Sequence, residues 1–498
     1  MTLGRGYGSM TGLRSRWLVG IVALALAAGW ALGQETPQGP FERALAAYDA
    51  GNLDEARTLF EEALKEAPDD YVILSWLGTV ALDQERYADA VGFLERAVKQ
   101  KPDYHVARNN LANAYAAQGQ FEKAEEQYLA ALKAKPDYFE AHYNLATLYA
   151  RRKDWTNAFR EFRRAVELKP QDVGVHLNFA RALEQAGETD RAIGEYEAVL
   201  GIQADNGEAL LALAGLYMQK GDDARAAEFY QKAAAAGQRG ADLEIGWGTA
   251  LYNLGKAAEA VPHLQEGVAA DPNRFEGWYN LALALSANEQ FAQAAQAYEK
   301  AVELRPDDAN AQNNYGWVLL KLDRVAEAVE VFKKAVAANP QMEIAQVNLA
   351  LALERAGEKA AALEQWKTAA ARFPDSAPAH LGLANMYYEA HQDDDALREY
   401  LRALAIDSKN PEAHNNVGLI FLRRRNFTEA VAHFRAALEV SPRFVAAINN
   451  LGVAYEWQNQ RDEALAQYTK ALEIDPTYEP ARKNLQRLQG TGEERGQG

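Results

Sequence analysis

His105–Tyr138 reads HVARNNLANAYAAQGQFEKAEEQYLAALKAKPDY, and these 34 residues decide the fold. Two stretches of helical periodicity flank one glycine. Leu111, Ala114 and Tyr115 share a face of Asn110–Gln118, and Ala124, Tyr128 and Ala131 share a stripe of Phe121–Lys133. Gly119 stands where a left-handed C-cap would end the first helix. Pro136 lacks the N–H that would continue the second, and turns the chain. The segment is an antiparallel helix pair that cannot bury its apolar face alone.

The same unit recurs in steps of 34, without insertion or deletion. Thirteen units begin at Pro37, Tyr71, His105, Phe139, Val173, Gly207, Ala241, Phe275, Ala309, Glu343, Ala377, Pro411 and Val445, and the last ends at Tyr478. Position 20 of every unit is Ala, from Ala56 to Ala464, and position 8 is always Ala or Gly. Position 24 is aromatic in eleven units and Leu in two, Leu94 and Leu264. Small residues at 8 and 20 let two helix backbones approach closely, and the aromatic fills the space beyond them. Stacking such pairs buries a continuous core, so the expected fold is an all-α solenoid.

The pattern resembles the tetratricopeptide repeat family over residues 37–478, on small pairs such as Gly78 with Ala90, aromatics such as Phe162, and closing prolines such as Pro102. That resemblance implies a right-handed superhelix whose concave groove, lined by the first helices, binds peptides or proteins. Glu479–Gln489 continues the first-helix phase as a polar capping helix, and 490–498 reads as a disordered tail. Ala204, Gln238 and Ser408 replace the closing proline, and Val199 and Gly267 replace a small Ala near the end of a second helix. Residues 199–246 therefore read either as the loosest stretch of the array or as neutral drift in a surface turn.

Residues 1–33 read as an export signal. Arg5, Arg14 and Arg16 precede the uncharged run Trp17–Leu32, and Ala31-Leu32-Gly33 offers a small-residue cleavage pattern. Met10 is an alternative start. The rival reading is an uncleaved membrane anchor formed by 17–32. Both put everything after a short linker, 34–36, outside the cytoplasm: periplasm, envelope or secreted.

Composition excludes several chemistries. With no cysteine, disulfide scaffolds, thiolate metal sites and cysteine nucleophiles are out. A net charge of −17 disfavours nucleic acid as a partner. No nucleotide loop, HExxH or Gly-x-Ser-x-Gly is present, so no enzyme activity, cofactor or metal is expected. His142, His176, His380 and His414 share position 4 of their units, which marks a packing position rather than a ligand set. His391–Asp395 falls in a turn and reads as a solvated acidic loop.

The candidate site lies on the first helices. Position 6 is Asn in eight units, Asn110, Asn144, Asn178, Asn280, Asn314, Asn348, Asn416 and Asn450, and Asn484 repeats it in the cap. A side-chain amide both donates and accepts, so such a ladder could hold an extended peptide backbone; equally, it could bond its own scaffold. This array is similar to the asparagine ladder in the repeat domain of O-linked N-acetylglucosamine transferases, without their catalytic domain. Ala212, Gly246 and Gly382 interrupt it. Leu211, Ile245, Tyr279, Leu283, Trp317, Leu320, Val347 and Leu351 form a candidate apolar stripe beside it. Position 2 is acidic in Glu140, Glu208, Asp242, Glu276 and Glu412, and never Lys or Arg, which argues for a neutral or basic extended segment and against an acidic tail. The expected function is an exported, non-catalytic scaffold binding a protein or peptide. The alternatives are a substrate-recruiting subunit of a separately encoded envelope enzyme and a membrane-tethered spacer.

Overall fold

The computed structural model describes residues 39–493. The regular elements among them are 27 helices, with no strand. From the second repeat to the thirteenth, each first helix starts at position 1 of its unit, as in Tyr71–Asp83, His105–Ala117 and Val445–Trp457. Each second helix starts at position 17, as in Tyr87–Gln100, Phe121–Ala134 and Arg461–Ile474. The first repeat begins with Pro40–Asp49 and Leu53–Glu66. Six first helices are capped from position 34: Asp70, Asp172, Asn206, Asp308, Ser376 and Asn410 each accept a backbone N–H of the first turn.

The predicted close approach is real. The position-20 alanines have no exposed surface in any repeat. Position 24 is buried throughout, including Phe60, Tyr128, Phe332, Tyr400 and Tyr468. Removing one such aromatic from water is worth about 1.5–3 kcal/mol. A Cβ added to Gly316 would sit 2.7 Å from the Phe332 ring, and one on Gly418 2.6 Å from Phe434. Backbone and ring touch there with no room for a methyl group.

Gly119 ends its helix at a φ of 75°. The same position, 15, is left-handed in every repeat. Six repeats carry Gly there; the other seven carry Glu85, Lys153, Glu289, Asp323, His391, Arg425 and Asn459, all at φ between 57° and 63°. For an L-residue this costs roughly 1–2 kcal/mol. The cost is borne because the N–H of position 16 returns to the carbonyl of position 11, as Gln120 does to Tyr115 at 2.9 Å.

By its internal packing the chain forms two compact units, divided between Gln238 and Arg239, within the irregular stretch 199–246. Inside each unit the first helices of neighbouring repeats touch directly, as Tyr71–Asp83 does with His105–Ala117 and Ala309–Lys321 with Glu343–Arg355. Second helices pack mainly on their own and the following first helix. First helices thus form the closely spaced, inner side of the stack. The final helix runs Glu479–Glu493, four residues past the expected cap, because its backbone bonding continues through Gly490. The export signal, the linker and residues 494–498 lie outside the described residues. Among the described residues no helix is long and apolar enough to cross a membrane.

Candidate functional site: the face of the first helices

All eight ladder asparagines are half-buried, and each side-chain nitrogen is committed to the scaffold. Asn110 and Asn280 donate to the hydroxyls of Thr79 and Thr249, at 2.9 and 2.8 Å. Asn178 and Asn314 donate to the hydroxyls of Tyr143 and Tyr279 in the preceding repeat. Asn144, Asn348 and Asn450 donate to the carbonyl oxygens of Asn109, Asn313 and Asn415, at 3.1, 2.9 and 2.9 Å. Asn416 donates to the Tyr400 hydroxyl at 3.0 Å.

Position 5 completes the arrangement. Asn109, Asn313, Asn415 and Asn449 are buried at the seam between first helices, and each donates to the Asn that follows it. Amides therefore join into chains. The first runs Asn144 to Asn109 to Asn110 to Thr79. The second runs Asn348 to Asn313 to Asn314 to Tyr279. The third starts in the cap and runs from Asn484 through Asn449, Asn450, Asn415 and Asn416 to Tyr400, whose hydroxyl donates to Asn385 at 2.6 Å. Burial pushes the phenol of Tyr400 up, so it stays protonated and able to donate. Every amide nitrogen that crosses a repeat boundary points toward the N-terminus. The oxygens of Asn144, Asn280 and Asn348 accept no hydrogen bond within the described residues.

The break at Gly382 has a steric cause. Trp366 occupies position 24 of the repeat before, and a Cβ at Gly382 would meet its ring at 2.5 Å. The larger indole fills the space an Asn side chain takes elsewhere.

The apolar stripe divides by exposure and not by position alone, since Leu211 and Tyr279 share position 5 with Ile245 and Val347 but are half-buried. Two members do not reach the face: Ile245 and Val347 are 3% and 7% exposed. Both occupy position 5, the buried seam, and Ile245 fills the space that Gly267 and Gly277 leave open. Leu211, Tyr279, Leu283 and Leu320 are half-buried, and Leu211 belongs to the first compact unit. Trp317 and Leu351, at position 9, are 41% and 46% exposed. The sequence reading missed Ile344, 50% exposed at position 2 of the same helix as Leu351. Trp317 is held by the edge of Phe291, with ring centroids 5.8 Å apart, and by the Lys321 ammonium 5.0 Å from its ring.

The acidic edge is largely neutralised, which corrects the charge argument for a basic partner. Glu140 pairs with Lys169 at 3.0 Å, Asp242 with Arg274 at 2.6 Å and Glu276 with Arg305 at 2.5 Å. Glu208 pairs with Arg181. Glu412 alone of the five has no ion pair among the described residues. The acids of His391–Asp395 lie in the first turn of the helix Asp393–Ile406 rather than in a loop, and are similarly spoken for: Asp393, Asp394 and Asp395 meet Arg423, Arg424 and Arg398.

Position 4 is a structural lock. His142, His176 and His380 face the carbonyl oxygen six residues earlier with Nε2, at 2.9, 3.1 and 3.0 Å, and a carboxylate with Nδ1. Those carboxylates are Glu161, Glu195 and Glu399, at 2.7, 2.6 and 2.6 Å. Arg108, Trp278, Gln312 and Gln346 make the same reach to the carbonyls of Pro102, Pro272, Pro306 and Pro340. No group of three or more His, Asp or Glu among the described residues is placed to hold a metal.

Family models described as tetratricopeptide repeat match residues 41–105, 109–173, 185–244, 245–288, 279–343, 345–376, 411–444 and 445–478, and a TPR repeat model matches 384–424. The chain belongs to the tetratricopeptide repeat family. Solved structures similar to this repeat protein include YrrB, described as a TPR protein with an unusual peptide-binding site. That match has 26% identity and a TM-score of 0.35, and covers 37% of this chain and 95% of that one. The Cut9–Hcn1 hetero-tetramer of APC/C matches at 13% identity and a TM-score of 0.38, covering 89% and 95%. Yeast Tom70 matches at 18% identity and a TM-score of 0.34, covering 85% and 96%. A comparison with curated proteins gave no significant match.

Proposed function

We propose that this tetratricopeptide repeat protein is an exported, non-catalytic scaffold that holds an extended segment of a partner protein on the first helices of repeats eight to ten. The exposure of Trp317, Ile344 and Leu351, at 41%, 50% and 46%, carries the reading. Three large apolar side chains on two adjacent helices form a patch that water disfavours and a partner would cover. Leu283 extends the patch into repeat eight.

The open oxygens of Asn280 and Asn348 belong to the first helices on either side of the one that carries Trp317, and ask for N–H donors. A helical partner has spent its backbone N–H groups internally; an extended one has them to offer. Each bond would contribute about 0.5–1.5 kcal/mol, so the apolar anchors supply most of the affinity. The paired acids at the groove edge leave the segment neutral rather than basic. Export rests on Arg5, Arg14 and Arg16 ahead of the apolar run 17–32, with Glu35 and Glu42 after it.

The test compares wild type with a Trp317→Ala, Leu351→Ala double variant of equal helicity. A photo-crosslinker placed at position 344 identifies the contacting segment, and a synthetic copy of that segment is titrated against both proteins. Binding to wild type that falls at least tenfold in the variant supports the reading. Equal binding moves the site off this face. Fractionation with N-terminal sequencing tests export independently; a mature chain retained in the cytoplasm would overturn it.

A further inference from the structure

The twelfth repeat departs from the lock found elsewhere. In repeats four, five and eleven position 4 is His and position 23 is Glu. In repeat twelve both are histidines: Nδ1 of His414 and Nδ1 of His433 are 3.0 Å apart. His414 Nε2 faces the Ser408 carbonyl at 3.2 Å, as its counterparts face theirs.

The tautomers follow from these contacts. A carbonyl only accepts, so His414 carries its proton on Nε2. Its Nδ1 then offers a lone pair, and His433 donates from Nδ1–H. This neutral pair tolerates one further proton, on the far nitrogen of His433. A second proton, on His414 Nδ1, would set two N–H groups and two positive charges against each other. The His–Glu locks behave oppositely. There both ring nitrogens face acceptors, and the imidazolium satisfies both.

We propose that the twelfth repeat, Pro411–Val440, is an acid-sensitive joint, in which protonation of the His414–His433 contact parts its two helices while the His–Glu locks of other repeats hold. Glu412, on the helix of His414, has no ion pair among the described residues; the other ionisable groups named next are committed elsewhere. On the second helix of this repeat, Arg435 donates to the Tyr455 hydroxyl. On the preceding second helix, Glu399 is held by His380 and Arg402. In the connecting turn, Asp407 accepts the backbone N–H of Lys409. On this repeat's first helix Arg423 pairs with Asp393, and on the next first helix Glu456 pairs with Arg487. His414, when protonated, is the neighbour whose charge acts on His433. Burial, and then that neighbour, hold the His433 imidazole below its ordinary 6.5. A depressed histidine stabilises the fold above 6.5 and loses that stabilisation as pH falls through it.

Opening here has a structural consequence. Asn415 and Asn416 follow His414 directly and belong to the longest amide chain, so parting this repeat also cuts the link between the capping helix and Tyr400.

Hydrogen exchange by mass spectrometry, corrected for intrinsic rates and run on the full chain at about pH 7.5 and about pH 5, tests the proposal. In wild type the opening constant of 411–440 rises on acidification, about tenfold for every unit by which the pair's protonation is depressed. The segment 173–202, with its His176–Glu195 lock, shows no rise. His433→Glu rebuilds the common lock and removes the acid response. The double change His414→Gln, His433→Gln, which copies the Gln346–Gln365 pair, removes it without introducing a charge. An acid response that persists in either variant, or is absent from wild type, overturns the proposal.

Discussion

Asn449→Ala tests whether the amide chain holds the last repeats together. Asn449 is 5% exposed. It accepts from Asn484 of the capping helix at 3.0 Å and donates to Asn450 at 3.4 Å. Truncation removes both bonds. At about 0.5–1.5 kcal/mol each the loss is about 1–3 kcal/mol, and the two orphaned polar atoms push it toward the upper end. Asn484→Ala removes only the first of these bonds and should cost about 0.5–1.5 kcal/mol. Global unfolding mixes many repeats, since such arrays open locally, so the measurement is hydrogen exchange across 445–493. The expected rise in opening is about five- to hundredfold for Asn449→Ala, clearly above that for Asn484→Ala. Equal effects of the two variants would show that Asn449 acts only through its bond to the cap. No effect of either would show that the chain contributes no stability and that the alanine and aromatic contacts suffice.

Two further outcomes follow from features of single repeats. Glu289 sits at φ 57°, so Glu289→Gly should stabilise by about 1 kcal/mol, while Gly119→Ala at φ 75° should destabilise by a similar amount; local exchange or thermal denaturation checks both signs. The Glu195 hydrogen bond raises His176 above its ordinary 6.5, so its lock is fully formed below that pH and weakens as pH rises through the elevated value; the His176 ring resonances should titrate above 6.5, and below that point in Glu195→Gln.

Much of the architecture is legible in the sequence because the 34-residue step repeats without a slip. Position 20 admits only Ala, position 24 demands bulk, and helix starts follow from those two registers. The lock histidines were legible as a packing position from their spacing alone. The destination of the Asn amides was not. An amide donates and accepts in either role, and its choice depends on the hydroxyl or side-chain carbonyl that position 5, 9 or 24 of the preceding repeat presents. The burial of Ile245 and Val347 was missed for a related reason. Positions 5 and 9 are one helical turn apart, and only the approach of the next first helix decides which is covered. The edge acids misled because their partners lie about one repeat away in sequence, on either side: Lys169 answers Glu140 and Arg305 answers Glu276 from further on, and Arg181 answers Glu208 from before it. Left-handed Glu85 and Lys153 carry no glycine to announce them; the six glycines at the same register were the available signal.

The amide chains make the two ends of the array chemically unlike. Each chain runs toward the N-terminus to a hydroxyl, Thr79, Tyr279 or Tyr400, and two of them start on an oxygen without a donor among the described residues, at Asn144 and Asn348. A donor arriving at Asn348 lengthens an existing series of bonds rather than making a solitary one, and each link polarises the next. Occupancy of the Asn348 oxygen would therefore be felt at Tyr279, two repeats away, through a handful of reoriented dipoles. Each chain is a one-way polar relay laid over an apolar stack, and its oxygen end and its hydroxyl end would treat an arriving segment differently.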